Sequence, residues 1–269
     1  MAIRPYKLRT VSMPQHFTPA VVLNSMDFGE SDKILTFYTL SFGKIKGIAK
    51  GAKRSKKRFG INLEPFSLVR LHFFEKREDS LVRVSACDLI NPFQGIRDDL
   101  FKIAHGSYMI EVVEKMAPER ERHPELFRLL TDFLGILEER GMNEDLLRVF
   151  EIRVLDDLGF RPHLSDCVKC HKPFARGLDI RFSPEKGGVI CRGCSRGLQH
   201  TLAISMGTIK TLEMALKLDP LKVPRLIFSK DVSDESREIL RGFIAFHTGK
   251  RLKSLEFLEK IKDSIPTSG

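Results

Sequence analysis

Apolar positions change their spacing along this chain, and each change marks an expected element boundary. From residue 17 to 90 the apolar runs are short and punctuated, the pattern of half-buried strands. Val21-Val22-Leu23 ends at Asn24, and Asp27-Phe28-Gly29-Glu30 supplies a turn. Ile34 to Leu40 is rich in β-branched and aromatic residues and stops at Phe42-Gly43. Lys44 to Ala49 reads as a third, weaker strand with a bulge at Gly47, and Phe66 to Phe74 and Leu81 to Asp88 supply two more. Five short strands between turn signals predict a small barrel; the five-stranded OB-fold fits that count, and an SH3-like barrel fits almost as well.

After Asn91-Pro92 the spacing turns helical. Leu100, Ile103, Ala104 and Tyr108 share one helical face, and Pro118 ends that segment. Leu126, Leu129, Leu130, Phe133, Leu134 and Leu137 form a stripe closed by Gly141. Asn143 is placed to cap a helix carrying Leu146, Leu147, Phe150, Val154, Leu155 and Leu158, which Gly159 stops. Residues 205–218 and about 233–248 read as two further amphipathic helices, with Ser233 as the cap of the second. The expected class is α+β and multidomain: an extension over 1–16, a barrel over 17–92, a helical domain in two parts (93–160 and 201–263), an insertion over 161–200 between them, and a tail over 264–269.

Length and composition set outer bounds. The chain has 269 residues, 42% apolar and 30% charged, enough for about two ordinary domains. Five cysteines are too few for a disulfide scaffold. No apolar segment of about 7–15 residues follows the basic N-terminus, and no run reaches the roughly 18 apolar residues of a membrane span. A reducing, cytoplasmic setting without membrane contact is therefore expected.

Charge sharpens the picture. The net charge is +10, but it is uneven: residues 1–83 hold 16 Lys and Arg against 7 Asp and Glu, whereas residues 84–166 hold 10 against 17. A second basic excess, 7 against 2, lies in residues 167–200. Such a field suits a polyanion on one face. Its densest part is Lys44, Lys46, Lys50, Lys53, Arg54, Lys56, Lys57 and Arg58, with no acidic residue among positions 44–58. Glycines interleave there, and a dense, adaptable cationic segment suits a phosphate backbone. A solvated loop without a partner is the bland reading of the same run. Phe28, Phe42 and Phe59 are candidate stacking faces for bases, although strand phenylalanines more often serve a core.

Cys167-x2-Cys170 and Cys191-x2-Cys194 form the paired pattern of a zinc ribbon. Two residues between thiols let one tight turn aim both sulfurs at one ion, and two turns complete a tetrahedron. The intervening Phe182 to Ile190 resembles a hairpin with a Gly187-Gly188 turn. One structural Zn2+ per chain is expected, since four cysteines leave no open position for catalysis. His163 and His171 lie close in sequence, but a four-cysteine shell does not require them.

Motifs for chemistry are missing. There is no P-loop, no HExxH and no deaminase signature. Gly193-Cys194-Ser195-Arg196-Gly197 fits GxSxG, but no buried strand leads into it and one member is an expected metal ligand. Asp156-Asp157 and Glu138-Glu139 read as solvated helix faces. No catalytic constellation is evident, and a non-enzyme is expected.

Taken in order, several segments resemble a known family. Phe28-Gly29-Glu30-Ser31-Asp32, then Lys50 to Arg58, then Leu63-Glu64-Pro65-Phe66, are similar to the bacterial RecO family of DNA repair proteins. Leu158-Gly159-Phe160-Arg161-Pro162 before the first cysteine pair, and Phe182 to Gly188 before the second, resemble it too. The likeness runs from about 17 to 260. Residues 1–16 have no counterpart in it, and a translation start at Met13 is the expectation there. The resemblance implies an OB-fold, a helical domain and a zinc-ribbon insertion in a recombination mediator without catalytic residues. It implies binding of single- and double-stranded DNA and annealing of complementary strands. It also implies action with RecR to load RecA onto DNA coated by single-strand-binding protein, and contact with the C-terminal tail of that protein. Two readings of another class stay open on the residues alone: a zinc-dependent enzyme acting on nucleic acid, and an RNA-associated zinc-ribbon protein.

Overall fold

The computed structural model describes residues 14–55, 58–60, 62–75, 81–174, 179–219 and 227–263. Five strands, β1 (Gln15–Phe28), β2 (Asp32–Thr39), β3 (Gly43–Ala49), β4 (Leu68–Phe74) and β5 (Val82–Asn91), close into a barrel in the order β1-β2-β3-β5-β4. All pairings are antiparallel except β3 with β5. Closure leaves the sheet no open edge. Alternation turns Leu35 and Phe37, Val69, Leu71 and Phe73, and Val82 and Val84 into one dry interior, which Ala20, Val22, Ile45 and Cys87 complete. Register shifts fall in β1, between Val22 and Asn24, and in the β4–β5 pairing at Leu68/Val69 and His72/Phe73, and not at Gly47 as the sequence suggests. Gly47 serves close approach instead: a Cβ there would stand 2.7 Å from a Val84 methyl of the neighbouring strand.

Beyond the barrel come α1 (Gln94–Arg97), α2 (Leu100–Met116), α3 (Pro124–Arg140) and α4 (Glu144–Asp157). Then follow β6 (Ile180–Ser183), β7 (Gly188–Cys191), α5 (Arg192–Ser195) and β8 (Leu202–Ala203). The chain ends in α6 (Met206–Lys217), α7 (Lys230–Thr248) and α8 (Lys253–Asp263). Asn143 caps α4 as its sequence implies, accepting from the Leu146 amide at 2.8 Å. α7 begins earlier than expected: Ser229 caps it, and Ser233 instead donates to Asp145 on α4 at 2.9 Å. Glu138 is not merely solvated, because its carboxylate accepts from the Gly95 amide and ties α3 to α1. Nor does Asp157 read as a simple surface acid, since burial pushes its carboxyl up to about 6.

A second apolar cluster joins three parts of the molecule. It holds Tyr108, Phe133, Phe150, Leu155 and Phe243 of the helices, Ile180, Phe182 and Val189 of the β6–β7 hairpin, and Val21, Leu23, Tyr38 and Phe66 of the barrel's outer surface. Each such side chain contributes roughly 1.5–3 kcal/mol when fully buried. The helices therefore cover one side of the barrel, and the insertion packs on the helices rather than hanging free.

Candidate metal centre and nucleic-acid interface

The hairpin β6–β7 brings the two cysteine pairs together. Gly187 takes the left-handed turn conformation, φ 72°, that a side chain would strain. Gly188 lies against the backbone of His163: the Val189 amide donates to the His163 carbonyl and the Val168 amide to the Val189 carbonyl, both at 2.9 Å. The segment before Cys167 is thus laced to the strand before Cys191. Cys167 and Cys170 sit on a tight turn in which the His171 amide donates to the Cys167 carbonyl at 2.8 Å. Cys191 opens the short α5, which carries Cys194.

All four sulfurs lie within 4.8 Å of one another, and Cys170 Sγ and Cys191 Sγ are 3.9 Å apart. Thiolates about 2.3 Å from one tetrahedral ion stand about 3.8 Å from each other. The spacing fits a single metal ion. The electrostatics fit as well. Burial works against a Cys167 thiolate, yet the amides of Cys191, Cys170 and Lys169 outweigh it and bring the group down to about 6. Cys194 is pushed up to about 12, first by its hydrogen bond with Cys191 and further by burial and the crowding thiols. Four sulfurs this close ionise together only when a cation shares their charge. His163 and His171 stay outside this group and face the Asp166 carboxylate at 3.1 and 3.5 Å.

The basic segment is built rather than loose. The Gly51 amide donates to Asp32 at 2.8 Å, and the Lys53 amide donates to the Ser31 carbonyl. Arg58 donates to Ser55 Oγ and to the Lys50 carbonyl, with its guanidinium 4.9 Å over the Phe59 ring. Lys50, Lys53, Arg54 and Arg58 are exposed, while Lys56 and Lys57 fall outside the described residues. Carboxylates shadow part of the set: Lys53 lies 2.8 Å from Asp27, and Arg54 4.0 Å from Glu30. Two members depart from the expectation. Lys44 is buried and donates to the Glu114 carbonyl at 2.6 Å, so it pins the barrel to α2 and has no surface for a phosphate. Lys46 is exposed but paired with Glu119. Of the candidate stacking rings, Phe59 is fully buried and Phe42 packs against His16 and Phe73; Phe28 is 52% exposed.

Strand register explains what surrounds this segment. On the outer face of β1–β2–β3, successive rows are Val21–Tyr38–Lys44, Asn24–Thr36–Lys46, Met26–Ile34–Ile48 and Phe28–Asp32. The helices cover the first row. The second is the boundary, where the Asn24 amide reaches Glu114 and Lys46 pairs with Glu119. The third is apolar and partly open, with Met26 54% exposed and Ile34 and Ile48 half-buried. The fourth is the rim, where Asp32 holds Gly51 of the basic segment. Met26, Ile34 and Ile48 do not stand out in the sequence, because any alternating strand has such residues; only the extent of the helical cover separates an open row from a closed one.

Fold and site together define an α+β protein: an OB-like barrel bearing a basic segment, fused to helices that carry a four-cysteine knuckle. Comparison with known proteins agrees over nearly the whole chain. The family model for the recombination protein O N terminal matches residues 13–93, and that for its C terminal matches residues 97–256. A DNA repair protein RecO from Syntrophus aciditrophicus is 40% identical over 249 residues, covering 92% of this chain and 96% of its own. Another from Anaeromyxobacter dehalogenans is 34% identical over 248 residues, covering 90% and 94%. The chain belongs to the RecO family of DNA repair proteins. Among the described residues no helix is long and apolar enough to cross a membrane.

Proposed function

We propose that the chain is a recombination mediator: it binds single- and double-stranded DNA, anneals complementary strands and, with RecR, loads RecA onto DNA coated by single-strand-binding protein, whose C-terminal tail it contacts. It acts on the chromosome in the cytoplasm. The observation that carries the reading is the exposed set Lys50, Lys53, Arg54 and Arg58 beside the open apolar row of the barrel. Cations at the rim fit phosphates, and an apolar strip fits base faces. Lys56 and Lys57 belong to the same run and add charge to it. Phosphate contacts give affinity without sequence preference, as annealing of arbitrary strands requires. The ion at the four cysteines is zinc in this reading. A complete sulfur shell supports a scaffold role over a catalytic one, because a catalytic zinc keeps a position open.

Strand annealing is the decisive experiment. Complementary strands are first coated with the single-strand-binding protein of the same organism and then mixed with the chain. Pairing should accelerate, and removal of the acidic tail from the coating protein should abolish the gain. Annealing no faster than in the uncatalysed mixture would overturn the mediator reading.

A further inference from the structure

The barrel's open row does not end at solvent on its inner side. Beyond Asn24 it meets a crevice of about 410 Å³ between β1, α2 and the start of α8, lined by Leu23, Asn24, Lys115, Lys250, Lys253 and Ser254 among others. Two carboxylates also line it, and both are occupied. Glu111 accepts from the Ser254 amide at 2.7 Å and so caps α8. Glu114 accepts from Asn24 and pairs with Lys115. Lys250 and Lys253 are exposed and have no ion pair among the described residues. Two uncommitted cations thus stand across the apolar row from the basic segment. Asn24, on the crevice, and Phe28, at the rim, are four residues apart along β1, so the strip runs about 13 Å from the crevice edge to the rim.

We infer that the helical domain supplies a second phosphate-binding bank, Lys250 and Lys253, so that a single strand of DNA crosses the domain junction with its bases over Met26, Ile34 and Ile48 and its backbone held at both ends. The charge arrangement favours this occupant. An apolar strip between two cationic margins matches a chain whose bases are hydrophobic on their faces and whose linkage is anionic. A protein segment would have to be acidic at both ends and apolar between. Duplex DNA keeps its bases stacked inside and has no use for the strip. The inference rests on the DNA-binding reading proposed above and adds to it the helical domain's part.

The test uses the full chain and a fluorescently labelled oligo-dT of about 20 nucleotides, longer than the largest footprint of one OB-fold. Binding is followed by anisotropy across a salt series for the wild type, for Lys250→Ala/Lys253→Ala and for Lys53→Ala/Arg54→Ala. Two phosphate contacts removed at the second bank should lower the steepness of log affinity against log salt by about 1.4, from roughly 0.7 per contact on single strands. Wild-type affinity and slope for the Lys250/Lys253 variant would overturn the inference. The Lys53/Arg54 variant then separates the two claims: if it weakens binding, only the second bank falls; if it too binds like wild type, the reading of the barrel as the DNA site falls as well.

Discussion

Arg148 is fully buried, and so is its partner Glu151, with Arg148 Nε 2.8 Å from Glu151 Oε2. Tyr108 of α2 donates to the other Glu151 oxygen at 2.5 Å. Desolvation raises the Glu151 carboxyl above its ordinary range despite the arginine beside it. Removing one partner of such a pair leaves the other charge buried alone, at a cost of about 3–5 kcal/mol. Arg148→Ala should therefore lower unfolding stability by that amount, and Arg148→Met/Glu151→Leu by much less, both read from urea denaturation. Three residues before Tyr108 on α2, His105 is 3% exposed and donates from Nδ1 to the Phe101 carbonyl. Desolvation brings its pKa down to about 4, below the roughly 6.5 of an unfolded histidine. The unfolded chain then binds more protons between those values. The stability is whole above about pH 6.5 and is lost as pH falls toward 4. His105→Met should lose less stability than the wild type between pH 7 and pH 4.5. An equal loss in both would show that His105 does not titrate on unfolding. Neither Arg148 nor Glu151 announces itself in the sequence, since a helix bearing Arg and Glu three apart normally shows them to water.

At the level of elements, the local signals were legible and the long-range ones were not. The alternation of Ile34 to Leu40, the stripe from Leu126 to Leu137 and the Asn143 cap all depend on neighbours within a few residues, and all three are present. The start of α8 was not, because its N-terminal amides are capped by Glu111, more than a hundred residues away on α2. The cysteine knuckles were legible because their spacing is local, but the contact that aligns them is not. A Cβ on Gly188 would stand 2.4 Å from the His163 carbonyl oxygen, a backbone atom that cannot swing aside. Gly188→Ala should push the hairpin off the segment before Cys167 and misalign the two knuckles while sparing barrel and helices. Supporting contacts of this kind change metal affinity by about 10–100-fold. Competition with a colorimetric zinc chelator should show a loss in that range for Gly188→Ala, with helix content by circular dichroism unchanged. Retention of wild-type metal affinity would mean that the knuckles align without the hairpin's close approach.

For the whole molecule, the division of the core decides how far loss of metal travels. Ile180, Phe182 and Val189 belong to the same apolar cluster as the helices, and the Phe182 ring meets Phe243 of α7 edge-on with centroids 5.3 Å apart. The barrel interior, Phe37 and Phe73 among it, forms a separate cluster. A metal held by two loops contributes folding free energy where those loops lack a core of their own. Removing it, by chelation or by Cys191→Ser, should loosen the knuckles first and then the helix they pack on. Hydrogen exchange should rise strongly over residues 163–174 and 188–195, moderately in α7, and not in β2 or β3. Oligo-dT affinity should stay near the wild-type value, because the basic segment is held by Ser31 and Asp32 of the barrel and not by the insertion. If exchange rose equally in β2 and β3, the two clusters would have to unfold as one unit. If affinity collapsed with only the insertion loosened, the insertion's own basic residues would have to be part of the DNA surface.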